Sequence, residues 1–117
     1  MLRRMAGALP YGRMLAEAGA GIVVCGDLSA AHDAQLSYLL QDCAAAIENL
    51  LISAHVLGLG ACWLGVHPRE VRINALRTLL DIPAGIIPVS AVALGHPAEQ
   101  KEQSTRFDPH HVHYERW

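Results

Sequence analysis

Residues 33–68 of this 117-residue chain, DAQLSYLLQDCAAAIENLLISAHVLGLGACWLGVHP, carry its clearest structural pattern. Gly58 stands where a left-handed C-cap would close a helix. Beyond it, glycines on both sides of Trp63 leave the backbone bare enough to approach a flat ligand closely. The pattern predicts a helix over residues 33–57 that leads into a cofactor site, because apolar residues recur at helical spacing at Leu36, Leu39, Leu40, Cys43, Ile47, Leu50, Leu51, Ala54 and Leu57.

The segments on either side of this stretch predict shorter elements. Residues 61–66 are expected to be extended, and Pro68 suits the first position of a helix that reaches residue 80. This helix is expected to bury Val71, Leu76, Leu79 and Leu80 and to expose Arg69, Glu70, Arg72 and Arg77 to water. Residues 20–26 and 86–94 predict strands, and residues 1–9 and 11–18 predict short helical pieces around Pro10. Strands that alternate with helices predict an α+β or α/β fold with a mixed sheet flanked by helices.

Size and composition predict a partner for this chain. A single domain of this length buries only about two-thirds of its unfolded surface, yet 52% of its residues are apolar and 17% are charged. A homodimer with the long helix at its centre is the simplest way to bury the surplus. The alternative is that the helix is buried in the core of its own monomer. The homodimer is favoured because apolar or small residues also lie off the main helix stripe, at Ala44, Ala45, Ala46, Ile52 and Val56.

Charge and hydropathy exclude several classes of protein. The formal net charge is −2 and the chain contains no basic run, which argues against a nucleic-acid partner. No apolar stretch reaches the ~18 residues of a membrane span, and residues 1–4 do not lead into a signal peptide, so we expect a cytoplasmic protein. Cys25, Cys43 and Cys62 lie in apolar contexts without CxxC spacing, which predicts reduced core residues.

Several further motifs carry a resemblance to a known family. They are QDC at residues 41–43, GIIPV at 85–89, LGHPAE at 94–99, RF at 106–107 and VHYERW at 112–117. Together with the segment around Trp63, they resemble the nitroreductase family over the whole chain. The resemblance implies a homodimeric enzyme with bound flavin mononucleotide (FMN) that passes electrons from NADH or NADPH to nitroaromatic or quinone-like acceptors.

The resemblance also implies particular site residues. Trp63, Leu64 and Gly65 match the family segment that runs along the edge of the flavin ring, where a backbone N–H donates to the redox-active ring nitrogen. Arg106 matches an arginine that reaches the FMN phosphate. Tyr38 lies where the family places aromatic residues over the substrate side of the flavin. Taken alone, the same residues fit a tight turn with Trp63 in the core, a surface arginine and a packing tyrosine. No catalytic acid or base is expected.

The last segment is expected to form an arm, residues 98–117, of a single domain that comprises residues 1–117. It has no helical period but carries Phe107, Val112, Tyr114 and Trp117, which hide large areas when they dock. The resemblance implies that the arm embraces the partner subunit and adds a strand to its sheet; docking within the same monomer is the alternative. We expect no metal site, because His110, His111 and His113 lack further ligands at suitable spacing and are expected on the arm's surface.

The chain departs from the family pattern at its beginning. Family members open with a helix bearing an Arg-Arg-Ser-type motif for the FMN phosphate and continue with an Asn-rich loop and a strand, and neither is found here. We therefore expect the chain to match the C-terminal two-thirds of the family, either as a natural short form or as part of a longer protein. Losing two or three charge-assisted hydrogen bonds, at roughly 1.5–3 kcal/mol each, weakens FMN binding by orders of magnitude. The alternative function is therefore a non-catalytic dimeric remnant that binds flavin weakly or not at all.

Overall fold

The structure is a computed structural model that describes residues 1–102 and 104–117. Within these ranges the helices are α1 (Leu2–Ala8), α2 (Leu36–Val56) and α3 (Glu70–Leu80), and the strands are β1 (Ala20–Asp27), β2 (Gly60–Gly65) and β3 (Ile86–Gly95). Single turns of 3-10 helix cover Arg13–Ala16, Leu28–Ala30, His32–Ala34 and Pro109–His111. The α+β class predicted from the sequence is confirmed.

The sheet is built around β3. Its strand order is β1-β3-β2, and both pairings are antiparallel. We predicted a mixed sheet, and the described pairings differ from that prediction. β1 and β2 run in the same direction, but among the described strands each of them pairs only with β3, which runs the opposite way, so no parallel pair forms.

A β-bulge allows a proline to lie in the central strand. A proline cannot donate to a sheet ladder and is tolerated at edges or bulges. Val24 pairs with Ser90 but the next residue, Cys25, pairs with Pro88, so the register skips Val89. The carbonyl of Val89 instead accepts hydrogen bonds from the backbone N–H groups of Val66 (3.2 Å) and His67 (3.0 Å). The bulge therefore fixes the chain immediately after β2.

The sheet carries a hydrophobic cluster on each face. On one face α1 and α3 cover β2 and β3, and the buried residues are Met5, Leu9, Leu15, Leu64, Val66, Ile73, Leu76, Ala91 and Ala93. On the other face α2 contributes Leu39 and Cys43, which pack with Val89. Gly26 of β1 is required for this second contact, because a Cβ at that position would collide with Leu39 Cδ2.

The two ends of α2 are set by left-handed residues. Asp33 (φ 52°) and Ala34 (φ 51°) cannot continue a right-handed helix, so α2 begins at Leu36, three residues later than predicted. At the other end Gly58 has φ 73°. The N–H of Gly58 donates to His55 O (3.0 Å) and the N–H of Leu59 donates to Ala54 O (2.8 Å), which is the Schellman pattern. The predicted glycine cap is confirmed.

The chain's own core covers only one side of α2. The buried residues Leu39, Cys43, Ile47 and Ala54 all belong to the predicted stripe. Ile52 and Val56, which lie off that stripe, are 54% and 77% exposed. The monomer core therefore leaves an apolar side of α2 uncovered.

Helix α3 differs from its prediction in start and in phase. It begins at Glu70 with Arg69 as its N-cap, so Pro68 precedes the helix. Val71, predicted to be buried, is 83% exposed, whereas Ile73 and Leu76 are buried. At 100° per residue, Val71 lies about 140° around the helix from Leu76, which is too far to share its face.

No helix of the described residues is long and apolar enough to cross a membrane.

Candidate functional site

The predicted flavin-edge segment forms the end of β2, an outer strand of the described sheet. Leu64 is buried in the cluster beneath α1 and α3. Because side chains alternate along a strand, Trp63 points to the opposite face, where it is 40% exposed. Trp63 is therefore not a core residue, which argues against the interpretation of this segment as a packed turn.

The backbone of this segment presents polar groups at the sheet edge. In an antiparallel pair, residues alternate between exchanging hydrogen bonds with the partner strand and facing away from it. The N–H of Val66 points to β3, where it donates to Val89 O. The N–H groups of Trp63 and Gly65, which lie opposite Val92 and Ser90, therefore point away from β3. A Cβ at Gly65 would meet no atom within 4 Å, so no other part of the chain crowds this position.

This edge fits a flavin ring by the chemistry of its donors. A ring nitrogen that gains electron density needs a hydrogen-bond donor that does not itself titrate, and a backbone N–H is such a donor. A glycine at the contact lets the ring approach the backbone without a side chain between them. Gly65 supplies both features.

Arg72 contacts the end of β2, although it was not among the site residues predicted from the sequence. The charged residues of α3 were expected to face water, yet Arg72 is half-buried and its Nη1 donates to Gly65 O over 2.9 Å. The reach from the first turn of α3 back to β2 spans seven residues. Local sequence periodicity carries no signal for such a contact, because it depends on how the helix packs against the sheet.

Tyr38 lies in the first turn of α2 and is 45% exposed. Its ring packs edge-on against His32, with ring centroids 5.2 Å apart and planes at 80°. The phenol therefore packs on the preceding loop while part of its ring stays accessible. Its role toward a substrate stays a prediction.

Arg106 lies in the arm, away from the contacts that fix β2. The arm follows β3 after Gly95, which pairs with Gly60 at the opposite end of β2 from Gly65. The described side-chain hydrogen bonds beyond residue 103 are local ones, from Phe107 N–H to Thr105 Oγ1 (3.0 Å) and from His110 N–H to Asp108 Oδ1 (2.9 Å). Among the described residues no hydrogen bond or ion pair joins Arg106 to the β2 segment. Its role toward a phosphate also stays a prediction.

The arm's aromatic residues do not dock on their own monomer. Phe107, Tyr114 and Trp117 are all strongly exposed. Among the described aromatic contacts, Trp117 packs only against the ring of His113, at a centroid distance of 4.5 Å.

The histidines of the arm form no described metal site. His111 Nε2 lies 3.7 Å from Asp108 Oδ2. The part of the chain that the structure describes holds no group of three potential metal ligands.

The cysteines are free thiols in the described structure. Burial raises the pKa of Cys25, and the nearby Cys43 raises it further, against a lowering by Arg77. Burial, followed by Asp42, raises the pKa of Cys43. A raised pKa reduces the thiolate fraction at neutral pH, so neither residue is an activated nucleophile.

Comparison with known proteins gives consistent matches. The model of the nitroreductase family matches residues 3–96. A protein of Archaeoglobus fulgidus, provisionally named NADH dehydrogenase/NAD(P)H nitroreductase, is 46% identical over 120 residues that cover 100% of this chain and 68% of the relative. A crystal structure from Bacteroides thetaiotaomicron with the same provisional name has a TM-score of 0.90 at 35% identity and covers 99% of this chain and 66% of its own. A Desulfovibrio desulfuricans nitroreductase structure in complex with FMN has a TM-score of 0.77 at 32% identity, with coverages of 99% and 66%. This chain spans 68% of the length of the Archaeoglobus relative and 60% of that of a Methanothermobacter thermautotrophicus relative with the same provisional name.

Proposed function

This chain belongs to the nitroreductase family, and from that premise we propose that it is an FMN-dependent oxidoreductase. Its electron donor is NADH or NADPH, and its acceptors are small nitroaromatic or quinone-like molecules. The observation that carries the proposal is the outer edge of β2, where the Gly65 N–H points away from β3 and a Cβ on Gly65 would meet no atom within 4 Å. The names of the Archaeoglobus and Desulfovibrio relatives, which mention NAD(P)H and FMN, support it.

The residues of β2 have separate roles in this proposal. FMN, when bound, supplies the acceptance and donation of a hydride, which the protein side chains cannot perform. Gly65 donates its N–H to the ring, and Trp63 lies beside the ring on the exposed face. Leu64 anchors the strand in the core beneath α1 and α3. Because the donor is a backbone amide, no catalytic acid or base is required at the ring.

The remaining part of the site is proposed to come from a second subunit. The uncovered apolar side of α2, with Ile52 and Val56, is the proposed dimer interface. The arm, residues 98–117, reaches across it and docks its exposed aromatic residues on the partner. Arg106 then binds the FMN phosphate by a charge-assisted bond, and Tyr38 lies over the substrate side of the ring.

The test is the visible absorption of the purified protein before and after adding FMN and removing the excess. We expect a retained flavin band and turnover of NAD(P)H with nitro or quinone acceptors. Gly65→Val should abolish retention, since a branched side chain would stand between the backbone and the ring. Gly7→Ala is the matched control, because Gly7 lies in α1 and a Cβ there meets no atom within 4 Å.

A colourless wild-type protein that retains no FMN would reject the enzyme proposal. The non-catalytic dimeric remnant would then be the better account. Retention by Gly65→Val equal to that by Gly7→Ala would remove Gly65 from the site while leaving the flavin proposal intact.

A further inference from the structure

We propose that Arg72 is a positioning residue for the flavin edge. Its guanidinium holds the Gly65 peptide in place and sets a positive charge beside the ring, which favours reduction of bound FMN. The inference rests on the proposed function and adds a residue that acts through Gly65 rather than by contacting substrate.

Arg72 and the β3 bulge hold the same peptide unit from two sides. The carbonyl of Gly65 accepts from Arg72 Nη1 at 2.9 Å. The N–H of the same peptide, which belongs to Val66, donates to Val89 O at 3.2 Å. Glycine has more conformational freedom than any other residue, so an unrestrained Gly65 would not keep its own N–H in one direction. With both polar groups of the following peptide bound, the Gly65 N–H is fixed toward the sheet edge.

The packing of α3 fixes the backbone position of Arg72. It is the third residue of α3 and precedes Ile73, which is buried in the cluster on the α1 side of the sheet. A rotation of α3 that moved Arg72 would also have to expose Ile73 and Leu76. The core therefore sets the position of the Arg72 backbone, and the bond to Gly65 O then holds the guanidinium at the exposed sheet edge.

The charge of Arg72 is not neutralised by a described partner. The ion pairs found in the described residues involve His32, Lys101 and His111, and none includes Arg72. A guanidinium stays protonated at any working pH. A fixed positive charge near a group that gains electrons stabilises the reduced form more than the oxidised one.

The experiment compares Arg72→Gln with Arg69→Gln in the full chain loaded with FMN. Each variant removes one positive charge from the start of α3, but Arg69 makes no described side-chain hydrogen bond to β2. For Arg72→Gln we expect a tenfold smaller equilibrium constant for FMN reduction, ~30 mV for a two-electron couple, and about tenfold weaker FMN binding. Arg69→Gln should match the wild type in both, and Arg72→Lys should recover most of the potential because it restores the charge.

The outcomes separate this inference from the proposed function. If the wild type retains FMN and Arg72→Gln has the potential of Arg69→Gln, the Arg72 inference is overturned and the proposed function stands. A wild type that retains no FMN overturns both. If Arg72→Gln does not fold, Arg72→Lys is compared with Arg69→Lys: we expect several-fold weaker FMN binding only in the former, since lysine lacks the planar fork, and equal binding overturns the inference.

Discussion

The end of β2 and the C-terminal arm differ in the contacts that fix their positions. Gly65 is fixed on both sides by contacts within the chain, from Arg72 and from the β3 bulge. The arm, which bears Arg106, shows its aromatic residues to solvent and makes local contacts. The proposed site therefore has two halves of different origin. One half is built by the fold of a single chain, and the other requires a partner to give it a position.

The largest expected contrast is in stability. Leu76→Ala should lower the free energy of unfolding by ~2–5 kcal/mol, because Leu76 is fully buried and its truncation leaves a cavity. Tyr114→Ala in the arm should change it by less than ~0.5 kcal/mol at protein concentrations where the monomer prevails. Denaturant unfolding of both variants measures the contrast. An equal loss in the two variants would mean that the arm docks on its own monomer.

The second prediction concerns the uncovered side of α2. Val56→Glu should weaken dimer formation by ~2–4 kcal/mol, because it buries an unpaired carboxylate in the proposed interface. Val71→Glu on α3 is the matched control, since Val71 is 83% exposed, close to the 77% of Val56, but lies on another helix. Sedimentation equilibrium measures both dissociation constants. Identical constants would place the interface elsewhere.

Arg106 offers a direct test of the arm's contribution to the cofactor site. Arg106→Ala should weaken FMN binding by ~1.5–3 kcal/mol, the range for a hydrogen bond to a charged group. Arg116→Ala removes the same charge ten residues further along the arm and should leave affinity unchanged. A fluorescence titration with FMN gives both values. Unchanged affinity in Arg106→Ala would remove Arg106 from the site.

The smallest effect is expected at the glycine that ends α2. Gly58→Ala should cost ~1–2 kcal/mol, because φ 73° is unfavourable for a residue with a Cβ. Gly7→Ala should stabilise α1 by ~0.5–1 kcal/mol, since Gly7 is helical and a Cβ there is unobstructed. Thermal unfolding of the two variants should therefore shift in opposite directions, and shifts of the same sign would contradict the assigned cap.

The elements built from local signals were predictable from the sequence. The stripe from Leu39 to Ala54 and the cap at Gly58 depend on helical spacing and on glycine's access to positive φ, and both are readable from residue order. The β-branched run that forms β3 is readable in the same way. The segment around Trp63 was placed correctly as a strand, although its ligand contacts stay a prediction.

The features that depend on packing between elements were not predictable. The phase of α3 is set by which side meets the sheet, so the sequence pattern predicted Val71 in the core, where the structure has Ile73. The bulge at Val89 depends on the register between β1 and β3. The bond from Arg72 to Gly65 depends on both helix placement and side-chain reach. The position of Arg106 depends, in our proposal, on a second chain.

The proposed contact between the flavin and β2 is tested by the backbone amide resonance of Gly65 in a ¹⁵N-labelled sample titrated with FMN. We predict that this resonance moves more than those of the other residues of β2, and that its exchange with solvent slows, because the Gly65 N–H becomes a donor to the ring. An unchanged Gly65 resonance in a sample that binds FMN would contradict the account, since the flavin would then lie elsewhere on the molecule.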